Sequence, residues 1–184
     1  MTNQITKSPD ENSNLPLGAS NLSPVPVGVT IKTKIERGDA YAAPEIFDVE
    51  IAILEIARGQ AELARAVAQG VPDEPPEAGF EYILARVRFG YFLRGRGFGS
   101  QPYKLTEGQF TAVSADGKTH YKIAGALQQA QPQMIYGDFS PGESREGWIL
   151  MQVPKQEKEP LLIYNREYVE GVYGIWGYVW FQLY

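Results

Sequence analysis

From Phe80 to Leu93 the chain reads FEYILARVRFGYFL, and Ile83, Ala85, Val87, Phe89 and Tyr91 alternate there with Tyr82, Leu84, Arg86 and Arg88. A helix would scatter that spacing around its circumference, whereas an extended strand puts the first set on one face. The rhythm recurs. Phe47, Val49, Ile51 and Ile53 alternate with Asp48 and Glu50, and Val27, Val29, Ile31, Thr33 and Ile35 alternate with Gly28, Thr30, Lys32 and Lys34. In Ser140–Pro154 a Pro-Gly turn precedes a run with Ile149, Met151 and Val153 on one parity, and Pro154 closes it because proline has no N–H for the ladder. Further strands are expected at Phe110–Val113 and His120–Ile123, around the Asp116-Gly117 turn, and at Leu161–Tyr164 and Ile175–Leu183. About seven or eight short strands with turns between them predict an all-β antiparallel sandwich, with a barrel as the competing closure.

Two stretches break the rhythm. Residues 58–69 (RGQAELARAVAQ) place Leu63 and Val67 four apart, with Gly70 and Pro72 beyond, which predicts one short amphipathic helix lying over a sandwich edge. Residues 124–138 read as a loop. Residues 1–24 are polar, rich in Pro, Asn and Ser, and without periodicity, so a flexible tail or tether is expected there, ahead of a folded domain at 25–184.

With 17 Lys and Arg against 22 Asp and Glu, the net charge of −5 argues against a general nucleic-acid binder. The absence of cysteine removes disulfides, thiolate catalysis and Cys-based metal centres. No stretch approaches the ~20 apolar residues of a membrane-spanning helix, so no transmembrane segment is expected. The N-terminus lacks a charged region followed by an apolar one, so no signal peptide is expected within this chain.

Four segments in order resemble a family of small bacterial extracellular domains of unknown function with an immunoglobulin-like fold. They are PVGVTI near Val27, GFEYILARVRF at 79–89, FTAVSADGKTHY at 110–121, and SPGESREGWILMQVP at 140–154 followed by LLIY at 161–164. Members often sit behind a signal peptide or lipid anchor and a disordered tether. The resemblance therefore implies an immunoglobulin-like sandwich at the cell surface or outside the cell, tethered by its N-terminal segment. It implies no catalytic residue. Met151 departs from the family, which more often has an aromatic there, and the Gly-Arg loop and aromatic C-terminus have no counterpart.

Candidate chemistry is sparse. His120, the only histidine, follows the Asp-Gly turn, where an exposed turn residue is the ordinary reading and a hydrolase triad the sharper one. Asp73, Glu74 and Glu77, and again Glu143 and Glu146, lack the spacing of a calcium loop and read as solvated loop charge. In RGRGFGS at 94–100, Arg94 and Arg96 could grip an anion, or the segment could be a plain hairpin loop. The C-terminal run places Ile175, Gly177, Val179, Phe181 and Leu183 on one face and Trp176, Tyr178, Trp180 and Tyr184 on the other. That aromatic row is either a sugar-stacking or protein-binding platform, or a second small core covered by the 58–69 helix, a loop or the tail.

These features favour a non-enzymatic extracellular interaction or structural module that binds a protein partner or its own copies. The N-terminal segment is a candidate for strand addition to a neighbouring copy. A carbohydrate-binding module using Trp176, Tyr178, Trp180 and Tyr184, with a cell-wall glycan as ligand, is the alternative, and an enzyme built on His120 comes third. Neither cofactor nor metal is expected.

Overall fold

The long alternating run becomes the central strand of one sheet. A computed structural model describes residues 15–37, 45–59, 61, 63, 75–94, 102–121, 123, 133–166 and 177–184. Its strands are β1 (Ile31–Arg37), β2 (Glu45–Arg58), β3 (Phe80–Leu93), β4 (Tyr103–Leu105), β5 (Phe110–Val113), β6 (His120–Tyr121), β7 (Gly137–Phe139), β8 (Glu143–Pro154), β9 (Leu161–Asn165) and β10 (Tyr178–Gln182). One sheet has the order β1-β2-β3-β8 and the other β10-β9-β5-β6, all antiparallel, and β4 and β7 pair as a separate ribbon.

The two sheets stack as a sandwich, and the order is immunoglobulin-like. β2, β3 and β8 take the A, B and E positions; β10, β9, β5 and β6 take the G, F, C and C′ positions, with β1 added beside A. The predicted inward sets of the long strands hold. Phe47, Val49, Ile51 and Ile53, Ile83 to Tyr91 on alternate positions, and Ile149, Met151 and Val153 all enter one buried core, met from the other sheet by Phe110, Leu162, Tyr164, Val179, Phe181 and Leu183. Each fully buried Val, Leu, Ile, Met or Phe side chain among them contributes roughly 1.5–3 kcal/mol. Arg86 and Arg88 face outward and pair with Glu55 at 3.4 Å and Glu146 at 2.8 Å.

Several local expectations change. The first strand starts at Ile31 rather than near Val27, because Gly28 at φ +85° turns the chain and donates its N–H to Ile53 O at 2.7 Å. Within 124–138, read as a loop, β7 forms at Gly137–Phe139 and Met134 bridges Trp148. The described residues form ten strands rather than about seven or eight, and β4 and β7 escape sequence reading because three residues are too few to show a period.

Of the helix expected at 58–69, Leu63 donates its N–H to Gly59 O at 3.0 Å, the contact of a helical turn; residues 64–69 lie outside the described residues. Leu63 is buried against Ala57, Tyr82, Leu84, Trp148 and Leu150 on the outer face of the β2-β3-β8 sheet. It does not cover the C-terminal aromatic row. A bulge between Ile53 and Glu55 shifts the parity of β2 and brings Ala57 to that outer face.

Part of the expected tether is folded. In residues 15–24, Gly18 N–H donates to Ser23 O at 2.6 Å, and the segment then pairs with β10: Trp180 N–H donates to Gly18 O (3.0 Å), Val25 N–H to Trp180 O (2.8 Å) and Gln182 N–H to Val25 O (2.9 Å). Gly18 fills the side of the sandwich between the sheets. A Cβ there would lie 2.9 Å from Val25 Cγ2 and 3.1 Å from both Ile31 and Val179, at a φ of +79°. The sequence offered no periodicity in this segment because its contacts are turns and edge bonds, not a strand. Residues 1–14 lie outside the described residues.

Candidate functional site

The C-terminal strand alternates as its sequence dictates. Val179, Phe181 and Leu183 are buried in the main core, while Tyr178, Trp180 and Tyr184 sit on the opposite face; Trp176 lies outside the described residues. Tyr178 and Trp180 are half-buried, packed against Val113, Leu161 and Ile163 in a small outer cluster. The Asp116-Gly117 turn borders Trp180, for a Cβ on Gly117 would come within 3.0 Å of the indole edge and 3.6 Å of Asn21. Asn21 Nδ2 donates to Ala115 O at 3.3 Å, so the N-terminal segment and the turn meet beside this ring. The turn is braced by Ser114 Oγ donating to Asp116 Oδ1 at 2.6 Å and by Thr119 N–H donating to Ser114 Oγ at 3.0 Å. Of the row's described residues, only Tyr184 is exposed.

The N-terminal segment itself carries the apolar surface. Among the described residues the exposed large hydrophobic side chains are Leu15, Leu17, Leu22, Val29 and Tyr184, with Leu22 at 63%. Four belong to residues 15–29 and the fifth ends the chain. The two stretches run side by side, because Val25 pairs in parallel with Phe181. The sequence signal was present in Leu15, Leu17 and Leu22, but nothing local showed that a folded scaffold would display them.

Arg94 is already engaged. Its Nε donates to Asp48 Oδ1 at 3.0 Å and Oδ2 at 3.2 Å, its Nη2 also donates to Asp48, and its N–H donates to Ile46 O at 2.8 Å. With Lys32, Lys34 and Arg166 it rims a cavity of about 320 Å³ over the β1 edge, but Lys32 pairs with Glu50 (2.5 Å) and Lys34 with Glu36 (2.7 Å). Charges such as Lys32 and Lys34 along an edge strand discourage pairing with another chain. Arg96 lies outside the described residues.

The Arg94 hydrogen bonds hold the Asp48 carboxyl below its usual 3.8, against a smaller opposing effect of burial. The folded-state pKa lies below the unfolded one, so the stabilisation is present above pH 3.8 and lost as pH falls through the lower, folded value. The stability difference between the native chain and Asp48→Asn, followed by urea denaturation, is therefore expected to narrow as pH drops below 3.8. A constant difference across that window would show that the pair contributes nothing through charge.

His120 is exposed on β6, and among the described residues no serine, threonine or carboxylate hydrogen-bonds its imidazole. Glu143 accepts the Ser140 N–H at 2.9 Å and pairs with Arg145 at 2.8 Å, which makes it a turn brace; Glu146 pairs with Arg88. Asp73 and Glu74 lie outside the described residues, and among those described no group of three or more His, Asp or Glu side chains could hold a metal. None of the described helices is long and apolar enough to cross a membrane.

One polar constellation escaped sequence reasoning altogether. The Tyr103 and Tyr164 hydroxyls lie 2.9 Å apart in the core, and Gln109 Nε2 donates to Tyr103. Burial pushes the Tyr103 phenol up to about 12 and Tyr164 well above 10, so both stay protonated at neutral pH. They are internal hydrogen-bond partners that tie β4 of the ribbon to β9 of the second sheet.

No family model matches the chain, and no curated protein matches it. Two solved structures are similar at low identity. A Bacillus subtilis protein described as a lipoprotein (ycdA) has a TM-score of 0.48 at 15% identity over 73% of this chain and 35% of its own. The secreted Mycobacterium tuberculosis protein MPT63 has a TM-score of 0.47 at 12% identity over 86% of this chain and 97% of its own. The chain thus spans about a third of the first protein's length and nearly all of the second's.

Proposed function

We propose that this chain is a non-enzymatic interaction module of the cell surface or extracellular space, and that it self-associates through the face built by residues 15–29 and the end of β10. One observation carries this reading: of the five large apolar side chains exposed among the described residues, four lie within residues 15–29, the stretch that pairs with β10 through Val25 and Phe181, and the fifth is Tyr184, just beyond β10. Monomeric proteins scatter such residues or cover them, and a concentration of them in one segment beside a strand edge marks a candidate protein interface. A second copy is the favoured occupant because an interface on a two-fold axis needs only a self-complementary patch. Leucines paired with leucines satisfy that requirement without charge matching. The half-buried state of Trp180 leaves the aromatic row less suited to stacking a glycan there.

Sedimentation over a concentration series tests it. The full chain is expected to form dimers or larger species, and Leu17→Asp with Leu22→Asp is expected to return it to monomer with its thermal midpoint unchanged. A native chain that stays monomeric at every concentration reached, with and without residues 1–24, removes self-association. Location is checked by fractionating cells that make the full-length protein, and recovery only from inside the cell would overturn that part.

A further inference from the structure

On the side of the sandwich away from the N-terminal segment, the two sheets are joined where Ile123 bridges Met151. Beside that bridge a groove of about 440 Å³ opens between the start of β3, the end of β8 and β6. Half-buried Phe80, Tyr121 and Pro154 form its floor, half-buried Gln152 contributes an amide, and exposed Thr119 and His120 stand at its rim. The volume lies within the range of small-molecule sites, roughly 300–1,000 Å³, and the mixture of ring faces with a few polar groups is what such sites use.

Local bonds hold the groove in shape. Tyr121 OH donates to Glu157 Oε2 at 3.1 Å, which fixes the ring. Glu77 N–H donates to Gln152 Oε1 at 3.0 Å, which commits the amide oxygen and leaves its NH₂ as the donor for a ligand. Groups ordered in advance lose less entropy on binding.

The chemistry narrows the ligand. A purely apolar molecule would strip water from the Gln152 amide and the Thr119 hydroxyl without replacing those hydrogen bonds, a loss for each group. An anion would approach the Glu157 carboxylate that holds Tyr121. A neutral ring with an apolar face and hydroxyls around its edge suits both floor and rim. We propose that this groove binds a neutral saccharide of one or two pyranose rings, seated on Phe80 and Tyr121 and hydrogen-bonded by Gln152. This site is separate from the self-association face and does not depend on it.

Amide NMR titration of the full chain with cellobiose, maltose, mannobiose and the N-acetylglucosamine disaccharide tests the proposal. At least one is expected to move the amides of Thr119, His120, Tyr121 and Gln152 in a saturable manner. Gln152→Ala is expected to weaken that sugar about tenfold, equivalent to ~1.4 kcal/mol. Tyr121→Phe keeps the ring and is expected to bind better than Tyr121→Ala; should the alanine variant fail to fold, the Gln152→Ala titration decides alone. The proposal is overturned if none of the four disaccharides moves these amides, if the shifts centre on Trp180 instead, or if Gln152→Ala binds as tightly as the native chain.

Discussion

Replacing Phe89 by alanine is expected to lower the unfolding free energy by about 3–5 kcal/mol, the usual cost of emptying a buried phenylalanine site. Phe89 is fully buried in the middle of β3. Its ring stacks on Tyr103 at 5.6 Å and meets Phe139 and Tyr164 edge-on at 4.8 and 5.9 Å. Tyr103 belongs to β4 and Phe139 to β7, so Phe89, together with Tyr91 stacked on Tyr103 at 5.3 Å, seats the ribbon on the sandwich, and Tyr164 ties in the second sheet. Truncation therefore removes the apolar transfer energy and also takes one partner from each of three rings, although Tyr103 keeps Tyr91, Tyr164 keeps Phe110 and Phe139 keeps the Arg145 guanidinium. A domain of this size is stable by roughly 5–15 kcal/mol, so the loss is a large share of the whole. Urea unfolding should show a lower midpoint with an unchanged slope, and Phe89→Leu should recover much of it because leucine leaves a far smaller cavity than alanine. A midpoint shift worth under about 1 kcal/mol would sink the account.

The second large effect is expected at Gly147. A Cβ there would lie 2.6 Å from both Gln133 O and Ile135 N and 2.7 Å from Ile135 Cα. These are backbone atoms, which cannot rotate away as a side-chain tip can. Segment 133–135 would have to move, breaking the Trp148 N–H to Gln133 O bond (3.0 Å) and the Ile135 N–H to Trp148 O bond (3.1 Å). Gly147→Ala is thus expected to cost about 1–3 kcal/mol or more by overpacking. Trp148, buried in the outer cluster under Leu63, should shift its fluorescence to the red as its cover lifts. Gly142→Ala is the control: its φ is +92° with nothing within 4 Å of a Cβ, so it should lose only the backbone conformational preference, roughly 1 kcal/mol. Equal losses in the two variants, with Trp148 emission unmoved, would show that position 147 has no special closeness.

Neither effect was equally visible in the sequence. Phe89 stood on the apolar parity of the longest alternating run, so its burial was legible; that its neighbours would come from β4 and β7 was not, because three-residue strands leave no period to detect. Gly147 sits inside the run Glu146-Gly147-Trp148, where nothing marks it as the crossing point of a distant segment. Leu63 shows the same limit. Its stripe predicted a surface to cover and the C-terminal aromatic row offered one, yet Leu63 packs on the other sheet, over Trp148 and Leu150.

For the candidate sites the division falls in the same place. The alternation that sorted Val179, Phe181 and Leu183 from Tyr178, Trp180 and Tyr184 followed from strand geometry alone, as did the sheet class, the Asp116-Gly117 turn and the inward set of β2, β3 and β8. Such properties are local, since a period of two or a turn dipeptide acts through its own backbone. Which faces meet, and which stay open, depends on residues far apart in the chain. Gly18 closes one side of the sandwich against Ile31 and Val179, Asp48 takes up Arg94, and Phe80, Tyr121 and Gln152 reach one groove from three strands. Those contacts exist only once both sheets have packed, so the core could be read from pattern while the exposed leucine face and the groove required the fold.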